Sequence, residues 1–103
     1  MNECLFCKII NGEIPCTKVY EDDETLAFLD IKPLAPGHTL VIPKKHCENI
    51  MDCPQDVLAA VMATAQRIAK KHSAVNVINN SGAAAGQEVF HLHFHVIPKG
   101  AHE

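Results

Sequence analysis

The chain has 103 residues and a mass of 11.3 kDa, the size of one compact domain, so 1–103 is read as a single unit. Hydrophobic residues at 48% and charged residues at 20% exclude a disordered chain, which needs low hydrophobicity and high net charge. A net charge of −3 argues against a nucleic-acid polymer as partner, because that binding releases counterions to a basic surface, but leaves a single nucleotide open. No apolar run approaches the roughly 20 residues that span a bilayer, and Met1-Asn2-Glu3-Cys4 opens no signal peptide, so neither membrane nor export is expected. Five cysteines, an odd number, point to a reducing cytoplasm rather than a disulfide framework.

In chain order, Leu5 to Ile10 is predicted as a short helix stopped at Asn11-Gly12, since glycine supplies the left-handed turn that ends helices. Thr17 to Glu21 and Thr25 to Asp30 read as a hairpin around the polar turn Asp22-Asp23-Glu24. Pro33, Pro36 and Gly37 mark a loop, and His38 to Ile42 a third strand closed by Pro43. The spacing of Val57, Leu58, Val61, Met62, Ala65, Ile68 and Ala69 predicts a helix over 54–72, with Pro54 first. The stripe bearing Met62 suits a core or a dimer interface. Val75 to Asn79 is a fourth strand, and Asn80 to Gly86 a loop of small residues. Glu88 to Ile97 reads as the fifth strand. Short strands without regular strand–helix alternation predict an α+β fold with an antiparallel sheet.

Seven histidines are many for this length, and His91, His93 and His95 alternate along the fifth strand. Period two puts them on one face, with Cα atoms of successive members about 6.5–7 Å apart. The outer pair, about 13 Å apart at that rise, is too distant to share one ion. The triad therefore divides its labour. Cys4-x-x-Cys7 has the bite of half a tetrahedral zinc site, with a redox pair or two inert thiols as rival readings. His46 and one triad histidine are candidates to complete it. A neutral imidazole is also a competent nucleophile toward phosphorus, and a neighbouring histidine can hold a proton for the leaving group. The loop before the strand offers backbone N–H groups that an anion could approach.

The run His91-Leu92-His93-Phe94-His95-Val96-Ile97 resembles the signature of the histidine-triad (HIT) family. Leu5 to Ile10, Ala27 to Asp30, His38 to His46 and Gly86 to Phe90 resemble that family's other blocks, in its order and over nearly the whole chain. The likeness is greatest to the histidine-triad nucleotide-binding branch. It implies a five-stranded antiparallel sheet with one main helix, pairing into a ten-stranded sheet in a homodimer. It also implies hydrolysis or transfer at the α-phosphate of nucleoside phosphoramidates or related nucleotidyl substrates, through a nucleotidylated histidine. On matching positions, His93 would be the nucleophile, flanked by His95 and His38. Asp30 would accept bonds from ribose hydroxyls, and Leu5, Phe6, Ile9, Phe28 and Ile31 would wall the base. Asn80, Gly86, Gln87 and Val89 would line the phosphate side. Zinc-bearing relatives imply a structural zinc on Cys4, Cys7, His46 and His91, leaving Cys16, Cys47 and Cys53 as plain thiols. Glu88 departs from the serine or threonine of some relatives. The rival activities are a dinucleoside polyphosphate hydrolase, a nucleotide-sensing dimer with little catalysis, and a hydrolase using His91 and His93 on a catalytic ion.

Overall fold

The structure, a computed structural model, describes residues 4–100. The first two strands, β1 (Lys18–Glu21) and β2 (Thr25–Leu29), form the expected hairpin. Its turn is held by Asp22, whose Oδ1 accepts from the backbone N–H groups of Glu24 and Thr25 and from the Thr25 hydroxyl, a side chain mimicking a backbone turn. β3 (Thr39–Pro43) pairs antiparallel with β2 and then with β5 (Phe94–Pro98), which also pairs with β4 (Val75–Ile78). The sheet is five-stranded, entirely antiparallel and ordered β1-β2-β3-β5-β4.

Alternation along the strands sorts the core into two layers. Ala27, Val41, Leu92, Phe94 and Val96 join Val61, Ala65 and Ile68 of the long helix α2 (Gln55–Ala69) on one face. Leu26, Phe28, Leu40 and Ile42 join Phe6 and Ile9 of the short helix α1 (Leu5–Ile10) on the other. Within the α2 layer, the hydroxyls of Thr25 and Thr64 meet at 2.7 Å, so neither buried oxygen lacks a partner. Met62, predicted on the buried stripe, is 36% exposed; Thr64 takes the inward position instead. The helix is shorter than the expected 54–72: Pro54 is its N-cap, and Lys70 ends it before the turn through Lys71 and His72. Among the described residues no helix is long and apolar enough to cross a membrane.

The fifth strand is also shorter than predicted, starting at Phe94 rather than Glu88. The preceding residues have no strand to pair with, since β3 matches β5 only over Thr39–Val41 and β4 stops at Ile78. Their polar groups are satisfied individually: Leu92 N–H donates to the Cys47 carbonyl at 2.7 Å, and the Asn79 amide to the His93 carbonyl at 2.9 Å. The alternation nevertheless survives, with Leu92 facing α2 and Val89 the α1 layer.

Candidate active site and histidine clusters

The α1 side of the sheet opens into a cavity of about 750 Å³. Leu5, Phe6 and Ile9 project into it from α1, with Phe28, Leu29, Asp30 and Ile31 at the end of β2. His38, His93 and His95 complete one wall, with Asn80, Gly86 and Val89 nearby. Of the ten residues expected around a nucleotide, nine therefore line one cavity. Gln87 does not. Its Oε1 accepts from Gly82 N–H, and its Nε2 donates to the carbonyls of Glu48 and Val89, so the side chain is spent bracing the loop. The loop's own N–H groups are partly committed as well: those of Ala85 and Gln87 bond to the Gly82 carbonyl and that of Gly86 to Ala83. Gly86, at φ +94°, makes the left-handed turn that ends this short 3-10 segment.

His38 enters the site through a turn in which Gly37 has φ +85°, and a Cβ there would also stand 3.3 Å from Pro98. The His38 ring is buried between two partners. Leu34 N–H donates to its Nδ1 at 3.0 Å, and its Nε2 lies 2.9 Å from His95 Nδ1. A neutral imidazole carries one N–H and one lone pair, so the Leu34 bond assigns the proton of His38 to Nε2. His38 then donates to His95 Nδ1, which leaves the His95 proton on Nε2 at the cavity wall. Burial, with the neighbouring His93 and His38, lowers the His95 pKa and favours this neutral ring. Asp30 Oδ2 stands 3.6 Å from His38 Nε2, while its Oδ1 accepts from Lys32 N–H at 2.9 Å.

His93 is fixed differently. Its Nδ1–H donates to the His91 carbonyl at 2.8 Å, so Nε2 carries the lone pair. The Phe6 ring stands edge-on to it at 5.2 Å, and Asn79, itself held by the Ser81 hydroxyl, pins its backbone. Asn79, the Leu34 amide and the Pro43 carbonyl escaped the sequence reading. Backbone partners leave no residue pattern, and Asn79 looks like any strand end.

His91 is fully buried and is not among the residues that line the cavity. Its Nε2–H donates to the Pro43 carbonyl at 2.8 Å, which turns the Nδ1 lone pair toward Cys4 Sγ at 3.3 Å, Cys7 Sγ at 3.5 Å and His46 Nδ1 at 3.2 Å. All four donor atoms lie within 4.8 Å of one another. Tetrahedral zinc with bonds of about 2.3 Å to sulfur and 2.0–2.1 Å to nitrogen needs donors roughly 3.3–3.8 Å apart, so this set fits the ion. The carbonyl behind His91 supplies the orienting bond that metal-bound histidines use. Burial pushes the His91 pKa down to about 4, keeping the ring neutral as a ligand must be. A second set, Asp30, His38 and His95, is equally close-knit.

Comparison with known proteins places the fold and these residues in context. The family model of the HIT domain matches residues 11–102. The chain belongs to the HIT family. An uncharacterised HIT-like protein of Methanocaldococcus jannaschii is 52% identical over 93% of this chain and 78% of its own length. The adenosine 5'-monophosphoramidase of Saccharomyces cerevisiae is 50% identical over 93% of this chain and 62% of its own. A solved structure of a HIT-like protein from Bartonella henselae superposes with a TM-score of 0.92 at 46% identity, covering 96% of this chain and 81% of that one.

Proposed function

We propose that this HIT protein is a nucleotidyl hydrolase or transferase acting at the α-phosphate of nucleoside phosphoramidates, through a nucleotidyl intermediate on His93. The observation that carries the reading is the His93 ring: Nδ1–H bound to a backbone carbonyl, Nε2 unprotonated, on the wall of a nucleotide-sized cavity. Nε2 attacks phosphorus, the bond from phosphorus to the leaving nitrogen breaks, and the departing amine takes the proton held on His95 Nε2. The negative charge left on the His38–His95 pair is balanced by the positive charge of the phosphorylated His93 ring, which keeps its Nδ1–H and lies 5.1 Å from the His95 ring between centres. Water then attacks the phosphohistidine, returning its proton to His95 and releasing the nucleoside monophosphate. The half-identical yeast phosphoramidase supports this substrate class. The apolar side chains of α1 with Phe28 and Ile31 flank the base, Asp30 accepts from the ribose, and Asn80, Gly86 and Val89 stand near the phosphate.

The experiment is His93→Ala assayed on an adenosine phosphoramidate, with mass spectrometry of the quenched wild-type protein. Turnover should vanish in the variant, and the wild type should carry one added nucleotidyl mass. Undiminished turnover in the variant would sink the mechanism.

The same reading gives Cys4, Cys7, His46 and His91 a structural zinc, which closes a four-ligand site and ties α1 to the start of the triad. Ligation of the ion by Cys4 and Cys7 as thiolates suits a reducing compartment. It also includes a homodimer, for which the two sheet edges differ in a telling way. β1 is guarded by Lys18 and Glu21, joined at 2.9 Å, and by a register shift, whereas β4 is uncharged and leaves Val77 and Ile78 exposed. Pairing of two β4 edges would continue the sheet to ten strands. Sedimentation should give twice the chain mass, and Val77→Lys should return it to one.

A further inference from the structure

We infer that the backbone amide of Leu34 is a positioning group for the histidine relay: it fixes the tautomers of His38 and His95, and it keeps divalent cations out of the Asp30–His38–His95 cluster. The relay half deepens the hydrolase reading above; the cation half stands without it. Both follow from one bond. Leu34 N–H occupies the only lone pair of His38, at Nδ1, so Nε2 holds a proton and has nothing to give a metal. Yet Asp30, His38 and His95 bring their donor atoms within 4.8 Å of one another, close enough for a borderline cation such as zinc or cobalt. To bind it, His38 would have to move its proton to Nδ1, where it would meet the Leu34 proton head-on. One hydrogen bond would be lost and two donors opposed.

The same bond sets the direction of the relay. With the proton on His38 Nε2, the 2.9 Å contact to His95 Nδ1 runs from His38 to His95, and His95 keeps its proton on Nε2. Were His38 protonated on Nδ1 instead, His95 would have to donate back from Nδ1. It would then present a lone pair to the cavity and could not protonate a leaving group. The Leu34 side chain takes no part in this, being 77% exposed. That separates the amide from the residue type: Leu34→Ala keeps the N–H and Leu34→Pro deletes it.

The test begins with the unsubstituted protein as purified, labelled with nitrogen-15 on histidine. The spectrum should show lone-pair nitrogens at Nδ1 and protonated nitrogens at Nε2 for both His38 and His95. A protonated Nδ1 on His38 would overturn the inference, with no substrate present and whatever the activity. Cobalt is then titrated into Leu34→Ala and Leu34→Pro while broadening of the His38 and His95 signals is followed. The proline variant should bind it about tenfold more tightly at these rings, one hydrogen bond's worth at about 1.4 kcal/mol. It should also lose about tenfold in kcat relative to Leu34→Ala with KM retained. Equal cobalt affinity in the two variants would overturn the cation half, and equal kcat the relay half. Should Leu34→Pro fail to fold, the tautomers of the unsubstituted protein decide.

Discussion

Two clusters of histidine with cysteine or aspartate side chains lie on the α1 side of one sheet, and they differ in the backbone behind them as much as in composition. In both, donor atoms from three or four side chains fall within 4.8 Å of one another. In the sulfur cluster the backbone partner of the buried histidine is a carbonyl, that of Pro43, so the ring's other nitrogen is left with a lone pair. In the Asp30 cluster the partner is an N–H, that of Leu34, so the other nitrogen is left with a proton. A carbonyl behind an imidazole makes a ligand or a nucleophile; an amide behind it makes a proton donor. His93, with the His91 carbonyl at 2.8 Å, follows the first pattern, and in the proposed reaction its lone pair is the one that attacks phosphorus. His91 thus joins the two regions: its ring belongs to the sulfur cluster and its carbonyl fixes the tautomer of His93, the proposed nucleophile.

The contrast breaks most visibly at His93. Replacing it with alanine removes the proposed nucleophile and should lower kcat by about a thousandfold or more, the scale of losing a covalent catalyst. A nucleoside monophosphate should still bind, because the cavity walls are unchanged; calorimetry checks that half. An intact kcat would mean that the lone pair set by the His91 carbonyl has no chemical purpose.

Acid should attack the sulfur cluster next. Burial lowers the His91 pKa to about 4, and burial with the neighbouring rings lowers that of His95. Above the ordinary histidine value of about 6.5 both rings are neutral in the folded and unfolded chains, so pH does nothing. As pH falls below that, the unfolded chain takes up protons that the fold refuses, and stability drops until pH reaches the folded values. For a shift such as that of His91 the loss is about 3 kcal/mol. Urea denaturation at pH 7 and pH 4.5 should show most of it, and a flat profile would contradict the burial of that ring as a neutral ligand.

Metal removal should cost slightly less. An ion at about a hundred times its Kd contributes ~2.7 kcal/mol. At about 4–8 °C per kcal/mol for a domain of this size, a chelator should lower Tm by roughly 10–20 °C. Cys7→Ser should reproduce the fall and be insensitive to chelator. An unchanged Tm in both would leave the four donors as an unmetallated cluster.

How much of this was readable beforehand depends on what carried the information. The short apolar runs from Thr25 to Leu29 and from Thr39 to Pro43 are written in side-chain type, and so the sheet was legible; which layer each side chain joins was not, because both faces of these strands are apolar and buried. Cys4-x-x-Cys7 at the start of a short helix, and the His-x-His-x-His run, were legible because they too are written in side-chain type. The start of β5 was not, because Glu88 to His93 has strand-like alternation but no neighbouring strand to accept it. The bonding of Gln87 was equally out of reach: the resemblance put it on the phosphate side, and nothing in the sequence reveals that its side chain bonds to Gly82, Glu48 and Val89. The tautomers were beyond reach, being fixed by main-chain groups that every residue possesses.

The smallest expected effect sharpens the comparison at its oxygen end. Asp30→Asn keeps the Oδ1 acceptor for Lys32 N–H but replaces the carboxylate oxygen near His38 with an amide donor. The relay loses little, since the Leu34 and His95 bonds of His38 remain. The proposed contact to the ribose loses its charged acceptor, and the difference of about 1–1.5 kcal/mol between a charge-assisted and a neutral hydrogen bond translates to a KM raised roughly tenfold, with kcat nearly retained. A substrate lacking the ribose hydroxyls separates the two roles of the carboxylate. It should bind wild type and variant alike, because the bond being tested is already missing from it. An equal tenfold penalty on that substrate would assign Asp30 to orienting His38 instead, and would move it from the nucleotide side of the site to the relay.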